Sequence, residues 1–247
     1  MNDYMTNSTK QKRHRKIALL NTTALITFDR ASQNYFPHFN SFFDKTLTLD
    51  FILKQEIVFE RRIRDAISKN CLALHNVNDG EVAEAEKLMK KWKKLALADA
   101  LIITTGLKLR SKGEVFVVTD DLVERTAAEE NHVNTLWSST LAVIFHHLNF
   151  TSLPRYIKDV KDRRVLWISR GILKTLKLFE TKETIEILLS LHTKSKRREN
   201  LVSRHSANIV NALTEAGIIT LREDKYILNE RSDITKVIPN IKTLVSS

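Results

Sequence analysis

The sequence predicts an α/β protein in which a central parallel sheet is flanked by helices and followed by a small basic C-terminal domain. Short apolar runs alternate with longer segments of helical periodicity through the first 150 residues, a pattern typical of parallel strands joined by helices. Only 5 Gly and 3 Pro occur among 247 residues, which argues against an all-β chain. The domains that we predict are a disordered basic tail (1–15), the α/β domain (16–150), a helical connector (151–180) and the C-terminal domain (181–247).

The predicted strands of the first domain are short and apolar, as buried strands of parallel sheets are. They lie, in chain order, within the run Ile17–Ile26, which also contains the exit into a helix, and at Leu47–Leu49, Cys71–His75, Glu114–Thr119 and Val133–Leu136. Glu114–Thr119 is the clearest of them because it is β-branched and bounded by Gly113 and Asp120.

The segments between these strands show helical spacing of apolar residues. We predict helices at Leu53–Ser68, Glu81–Lys94 (with Asp79 as the N-cap), Leu97–Leu109, Leu122–Glu130 and Leu141–Asn149. Beyond Asn149 the pattern changes, and residues 155–178 are predicted to be helical. The last segments are predicted as helices Thr181–Leu191 and Ser203–Ala216, the latter ending at Gly217, and as strands Ile218–Leu221 and Tyr226–Leu228.

Charge and composition narrow the function classes. The net charge is +11, and residues 151–247 carry 19 basic and 11 acidic residues. Such an excess of positive charge is typical of proteins that bind the phosphate backbone of nucleic acids, and it is also found on lysine-rich surfaces without such a role. No apolar run reaches the roughly 18 residues that a membrane span requires, and the polar N-terminus predicts no secretory signal. Cys71 is the single cysteine, so a reducing cytoplasm is expected. Phosphate-binding glycine motifs are absent from the sequence.

Four acidic residues are candidates for a metal site. Asp120 and Asp121 end the clearest strand, Asp99 lies near a helix start, and Glu56 lies in a helix after a strand. Sites of parallel α/β sheets form at the carboxyl ends of strands, so these side chains are expected at one rim. Several carboxylates from separate elements are what metal-dependent phosphodiester cleavage needs.

The segments LKQEIVFERRI, ADALIITTGLKL and EVFVVTDDLVERTAAEENHVNTL resemble the PIN-like domain in order and spacing over about residues 16–150. The resemblance implies a compact metal-dependent ribonuclease with Mg²⁺ or Mn²⁺ held by Glu56, Asp99 and Asp121. It also implies that Thr119 orients Asp121 and that Asp120 is an accessory ligand. Since many members are toxins of toxin–antitoxin pairs and dimerise, a homodimer and an antitoxin-like partner are further expectations.

One position departs from the family pattern. In IALLNTTALITF, Asn21 stands where the first acidic ligand of the family is expected. An amide is a weaker ligand and brings no negative charge, so the departure bears on activity more than on fold. Asn21 is nevertheless retained as a candidate catalytic residue.

The C-terminal segment NIVNALTEAGIITLREDKYILN resembles a winged helix-turn-helix domain, a fold that binds nucleic acid and also mediates protein contacts. The nucleic-acid-binding residues that the resemblance and the basic KSKRR segment imply are Lys196, Arg197, Arg198, Arg204, His205, Ser206, Asn208, Asn211, Arg222 and Lys225.

Two main functions follow from these observations. The first is a metal-dependent nuclease, endoribonuclease-like, with a C-terminal module that binds RNA or DNA. The second is a catalytically degenerate DNA-binding regulator that acts through the winged helix. A protein–protein scaffold is a third, weaker interpretation.

Overall fold

A five-stranded parallel sheet forms the centre of the first domain. The computed structural model describes residues 15–57, 61–163, 170–193 and 195–229, so residues 1–14 of the predicted N-terminal tail and residues 230–247 lie outside the described residues. The strands are β1 (Lys16–Leu20), β2 (Lys45–Leu49), β3 (Ala73–His75), β4 (Glu114–Val118) and β5 (Asn134–Leu136). Their order is β3-β2-β1-β4-β5 and every pairing is parallel, which confirms the predicted parallel sheet.

The strand order reverses at β1, which has β2 on one side and β4 on the other. The register aligns Leu20 with Val118, and the Asn21 backbone N–H donates to the Val118 carbonyl at 3.1 Å. The residues that follow β1 and β4 therefore emerge side by side. In open α/β sheets this crevice, at the carboxyl ends where the order reverses, is where ligands bind.

Helices flank the sheet. They are α1 (Thr22–Arg30), α2 (Phe36–Phe42), α3 (Asp50–Gln55), α4 (Arg61–Ser68), α5 (Asp79–Lys91), α6 (Leu97–Leu109), α7 (Leu122–Glu130), α8 (Ser138–His147), α9 (Leu153–Arg163) and α10 (Arg170–Leu178). The bounds of α6 and α7 are those predicted. Helix α5 starts after Asn78, whose side chain and that of Glu81 form a reciprocal cap, so the predicted N-cap Asp79 is instead the first helical residue.

The predicted single helix Leu53–Ser68 is wrong in one respect. Helix α3 begins earlier, at Asp50, and ends at Gln55, and α4 is a separate helix. Asp50 starts α3 and its carboxylate accepts a hydrogen bond from the Val77 backbone N–H at 3.0 Å. Glu56 is consequently the C-terminal cap of α3 and does not lie within a helix.

An aromatic cluster holds α9 against the first domain. Tyr35 and Tyr156 are fully buried with ring centroids 6.0 Å apart, and Tyr35 also contacts Phe28 and Phe145. The Ser32 backbone N–H donates to a carboxylate oxygen of α9 at 2.5 Å. Part of the predicted connector therefore belongs to the core of the α/β domain.

The C-terminal part combines short helices with an antiparallel sheet. Its elements are α11 (Lys182–Thr193), β6 (Lys196–Arg197), α12 (Arg198–Val202), α13 (Ala207–Glu215), β7 (Ile219–Arg222) and β8 (Lys225–Leu228). The strand order is β6-β8-β7. Helix α13 starts four residues later than predicted, because residues 203–206 form the turn from α12. Gly217 follows the end of α13, as predicted, with φ of +68°, the left-handed geometry that is common for a glycine directly after a helix.

None of the helices in the described ranges is long and apolar enough to cross a membrane.

Candidate functional site

Asn21 lies at the crevice, and each polar atom of its side chain is engaged. As the N-cap of α1, its Oδ1 accepts from the Ala24 backbone N–H at 2.9 Å and from the Thr23 hydroxyl at 2.8 Å. Its Nδ2 donates to Thr119 Oγ1 at 2.8 Å and to Glu124 Oε2 at 2.5 Å. Asn21, predicted as a candidate catalytic residue, therefore caps a helix and holds a buried carboxylate, and its oxygen is directed towards α1.

Glu124 is the site residue that the sequence analysis missed. Its side chain is fully buried, and its Oε1 has no hydrogen-bond partner among the described residues. Burial raises its pKa well above the usual value, the Asp99 and Asp121 carboxylates raise it further, and hydrogen bonds with Thr119 and Asn21 oppose the shift. A buried carboxylate oxygen that lacks a partner and faces other carboxylates is costly unless the group takes a proton or a cation is available.

The spacing of Asp121 and Glu124 is the sequence signal that could have identified this residue. Asp121 is the N-cap of α7, and its Oδ1 accepts from the Glu124 backbone N–H at 2.8 Å. In a full capping box the glutamate side chain would reach back to the N-cap N–H. Here the Asp121 N–H donates instead to Thr119 Oγ1 at 3.0 Å, and the Glu124 side chain turns inward to Asn21.

Asp99 faces the same crevice from the first turn of α6. Burial raises its pKa from 3.8 to about 6, and the Asp121 and Glu56 carboxylates add to the shift. A hydrogen bond from the Ala96 backbone N–H, which belongs to the N-cap of α6, lowers it. The carboxylates of Asp99, Asp121 and Glu56 are thus close enough to interact electrostatically, although they come from three separate segments.

Glu56 lies at the outer side of this group. It is exposed, and its Oε2 accepts a hydrogen bond from the Thr22 hydroxyl at the start of α1. The segments after β2 and β4, the first turn of α6 and helix α7 therefore all contribute to one acidic group, while Asn21 and Thr22 after β1 donate hydrogen bonds to it. We call Glu56, Asp99, Asp121 and Glu124 the acidic group below.

Asp120 does not belong to the acidic group, so its predicted role as an accessory ligand is corrected. Its Oδ1 accepts from the Ser138 backbone N–H at 3.0 Å, and its Oδ2 accepts from the Ser138 hydroxyl at 2.6 Å and the Thr27 hydroxyl at 3.4 Å. Ser138 is the first residue of α8, so Asp120 serves as a cap for that helix. Consecutive residues in extended backbone point to opposite sides, which separates Asp120 from Asp121.

The acidic group was tested for its fit to a divalent cation. Among the described residues, no three histidine, cysteine, aspartate or glutamate side chains are close enough to hold one ion together, which argues against a closed site such as structural zinc requires. Mg²⁺ is usually bound by one or two carboxylates and keeps several waters. The predicted ligands Glu56, Asp99 and Asp121 therefore do not form a three-ligand site in the part of the chain that the structure describes, and only a hydrated ion on one or two of these carboxylates is compatible with their arrangement.

Cationic partners do not neutralise the acidic group. The salt bridges of the described residues involve other carboxylates, such as those of Asp50, Glu81 and Glu129. The negative charge at the crevice is therefore balanced neither by lysine nor by arginine within the part of the chain that the structure describes. A cation from solution would remove this repulsion.

The predicted nucleic-acid-binding residues are spread over several elements of the C-terminal part. Lys196, Arg197 and Lys225 line one groove of about 380 Å³, formed where β6 pairs with β8. Arg204, Asn208 and Asn211 are exposed on or just before α13. The Arg198 side chain lies outside the described residues.

Two of the predicted contacts are engaged within the protein. Glu183 Oε1 accepts from the Ser206 backbone N–H at 2.5 Å and lies 3.8 Å from His205 Nδ1, while its Oε2 accepts from the Ser206 hydroxyl. His205 and Ser206 thus connect the start of α13 to α11.

Arg222 and Lys225 face each other across the hairpin of β7 and β8. The turn between them is Glu223–Asp224, and both residues have positive φ. The two acidic residues offset the two basic ones at this tip, which makes the hairpin tip less basic than expected.

Comparison with known proteins identifies no family. No protein-family model and no curated protein matches the chain. Among solved structures, the chain is similar to the protein VC1899 from Vibrio cholerae at 13% identity, with a TM-score of 0.28. The match covers 93% of this chain and 66% of that protein, so the chain spans about two thirds of the length of VC1899. A TM-score this low supports no conclusion on fold or function.

Proposed function

We propose that the protein is a metal-dependent nuclease whose acidic group binds Mg²⁺ or Mn²⁺ at the carboxyl edge of the sheet. The observation that carries the proposal is the partnerless Oε1 of Glu124, buried in the repulsive field of Asp99 and Asp121. The strand order and the PIN-like spacing of the acidic segments support the same reading. The fold keeps these carboxylates close together despite their mutual repulsion, as is common for groups at binding or catalytic sites.

In this proposal Asp99 and Asp121 hold the cation, with Glu124 behind them and Glu56 at the solvent side. A bound cation would supply activation of water and stabilisation of the leaving oxygen of a phosphodiester. The Thr119 hydroxyl positions Asp121 by accepting a hydrogen bond from the Asp121 backbone N–H. The Asn21 side-chain amide positions Glu124 by donating a hydrogen bond to its carboxylate. Asn21 then does not mark a degenerate site, because Glu124 contributes the carboxylate that position 21 lacks.

The C-terminal part is proposed to be a winged-helix module that brings nucleic acid to the acidic edge. The order of α11, α12, α13 and the β7–β8 hairpin supports this proposal, as does the exposure of Arg204, Asn208 and Asn211. A basic module helps because the acidic group without metal repels phosphate.

A cleavage assay tests the proposal. The whole chain is incubated with defined RNA and single-stranded DNA in Mg²⁺, Mn²⁺ or EDTA, and the rate is compared between wild type, Asp99→Asn and the control Asp65→Asn. Asp65 is an exposed acid on α4, so its variant makes the same charge change away from the crevice. We expect cation-dependent cleavage that falls at least about 100-fold in Asp99→Asn and stays unchanged in the control. Equal rates in the two variants would refute the site.

A second function, that of a DNA-binding regulator, is favoured by a different observation. Lys196, Arg197 and Lys225 share one groove, whereas the acidic group lacks a closed ligand set in the described residues. The regulator would bind duplex DNA in EDTA, with affinity that falls steeply with salt. Arg204→Ala should weaken such binding while Asp99→Asn leaves it unchanged. Duplex binding that requires Mg²⁺ would argue against this function.

A further inference from the structure

We propose that a groove beside the acidic group binds single-stranded nucleic acid, with Trp92 as a platform for a base and three lysines for the phosphates. This inference rests on the proposed nuclease function and names the substrate form and its path. The groove has a volume of about 460 Å³ and lies between the end of α5 and the start of α7. It is defined by Lys91, Trp92, Lys93, Lys94 and Leu122, together with two further residues of α7.

The floor of the groove is apolar and exposed to solvent, although burying apolar side chains would stabilise the fold more. Leu122 is 67% exposed, the largest value among the exposed large hydrophobic side chains of the described residues. Trp92 is half-buried, and its indole N–H is shielded from solvent without an acceptor. A buried indole N–H usually finds a partner. A partly exposed aromatic ring beside an exposed leucine is a suitable surface for stacking a nucleobase, because every base has a π-face.

The rim of the groove carries positive charge. Lys91, Lys93 and Lys94 are all exposed, and in the described part of the chain none of them forms a salt bridge. Acidic side chains of the described ranges do not line the groove. This combination of an aromatic ring with unpaired lysines is typical of sites that bind single strands without sequence preference, and it favours nucleic acid over an apolar protein segment.

Both walls of the groove lead directly into the acidic group. Leu122 follows Asp121 in the chain, and it is the first residue of α7. The turn after Trp92, closed by a hydrogen bond from the Leu95 N–H to the Trp92 carbonyl at 2.9 Å, leads into α6 and Asp99. A strand that lies in the groove therefore continues towards the carboxylates. The lysines attract the phosphates next to a site that would otherwise repel them.

A binding experiment on the whole chain tests the groove independently of cleavage. A fluorescein-labelled oligothymidylate of about ten nucleotides, long enough to fill a single-strand site, is titrated in EDTA and followed by anisotropy. Trp92→Ala should weaken binding about tenfold, because stacking on one aromatic side chain is lost, whereas Trp92→Phe should stay near wild type. Thermal unfolding of each variant shows that it is folded.

Charge reversal gives the matched comparison. Lys93→Glu/Lys94→Glu should weaken binding and make the slope of log Kd against log salt shallower by about 1.4, since two single-strand phosphate contacts are lost. Lys45→Glu/Lys112→Glu makes the same charge change at exposed lysines near the amino ends of β2 and β4. That control should keep the wild-type slope and affinity within about threefold.

The possible outcomes separate the groove from the nuclease proposal. If wild type cleaves but Trp92→Ala binds and cleaves as well as wild type, the groove is refuted and the nuclease proposal stands. Equal losses in the two double variants would likewise refute a local groove, because they would show a general charge effect. If wild type binds the oligonucleotide through Trp92 but never cleaves with Mg²⁺ or Mn²⁺, the nuclease proposal fails and the groove remains as a binding site. A groove occupied by a protein segment would leave all oligonucleotide affinities unchanged.

Discussion

Replacing Asn21 by aspartate would place an acidic residue where the PIN-like pattern that the sequence resembles has one, yet the structure predicts that it destabilises the protein. The amide Nδ2 donates to Thr119 Oγ1 and to the buried Glu124 Oε2. A carboxylate can accept but not donate these hydrogen bonds. In Asn21→Asp a carboxylate oxygen of residue 21 would therefore face Glu124 Oε2, where the amide Nδ2 now donates a hydrogen bond. The helix cap itself would survive, because Oδ1 is kept.

The cost is large because the pair is buried. Losing a partner of a buried charge typically costs about 3–5 kcal/mol. For a chain of this size that corresponds to a fall in Tm of roughly 10 °C at pH 7.5 in EDTA. The loss should shrink as the pH is lowered, since one of the two carboxyls can then take a proton and donate.

A double variant supplies the control. Asn21→Asp/Glu124→Gln exchanges the positions of the amide and the carboxylate and keeps both the charge and the hydrogen bond. We expect it to recover most of the lost stability, which gives a coupling free energy of about 2 kcal/mol or more in a cycle with the single variants. Thermal and urea unfolding measure all four proteins. An Asn21→Asp protein as stable as wild type, or a double variant no better than the single one, would refute the described pairing.

Further predictions concern the acidic group and three positions that support the fold. The folded pKa of Asp99, about 6, is raised above 3.8, so the fold favours the protonated carboxyl and the cation-free protein loses stability as the pH rises from about 4 to about 6. Asp99→Asn should therefore have a free energy of unfolding about 1–2 kcal/mol higher than wild type at pH 7.5 in EDTA, a value discounted because Asp99 is partly exposed. The difference between the two proteins should vanish below pH 4. Urea titrations in which the two stabilities do not converge at low pH would contradict the prediction. Asp120→Ala should lower the free energy of unfolding by about 2–3 kcal/mol, because it removes the hydrogen-bond acceptor at the start of α8. The Mn²⁺ affinity measured by calorimetry should stay unchanged. A loss of Mn²⁺ affinity would show that Asp120 belongs to the acidic group after all. Gly217→Ala should lower stability by about 1–2 kcal/mol through backbone strain alone, since an added Cβ meets open space; unchanged unfolding would argue against the left-handed geometry. Glu183→Gln should loosen the start of α13, seen as faster amide exchange at Ser206 than at residues of α6.

The sequence by itself determined the α/β class and most of the sheet. Periodicity and β-branched composition predicted the strands and the bounds of α6 and α7, because burial of an apolar face depends on local spacing. Parallel strands bring their carboxyl ends to one edge, so the convergence of Asp99 and Asp121 could also be anticipated. Gly217 was identified for a local reason too, since its positive φ favours glycine in any context.

Only the tertiary structure decided which acids belong to the acidic group. Asp120 and Asp121 are adjacent in sequence, and their roles differ because one side chain meets α8 while the other faces the crevice. Glu124 resembles a solvated residue of an amphipathic helix until the Asn21 amide, 103 residues away in the chain, is seen to bind it. Such contacts between distant segments depend on how helices pack against the sheet, which no local pattern encodes. The reason for an amide at position 21 is therefore visible only in the folded protein, where Asn21 donates a hydrogen bond to the buried Glu124.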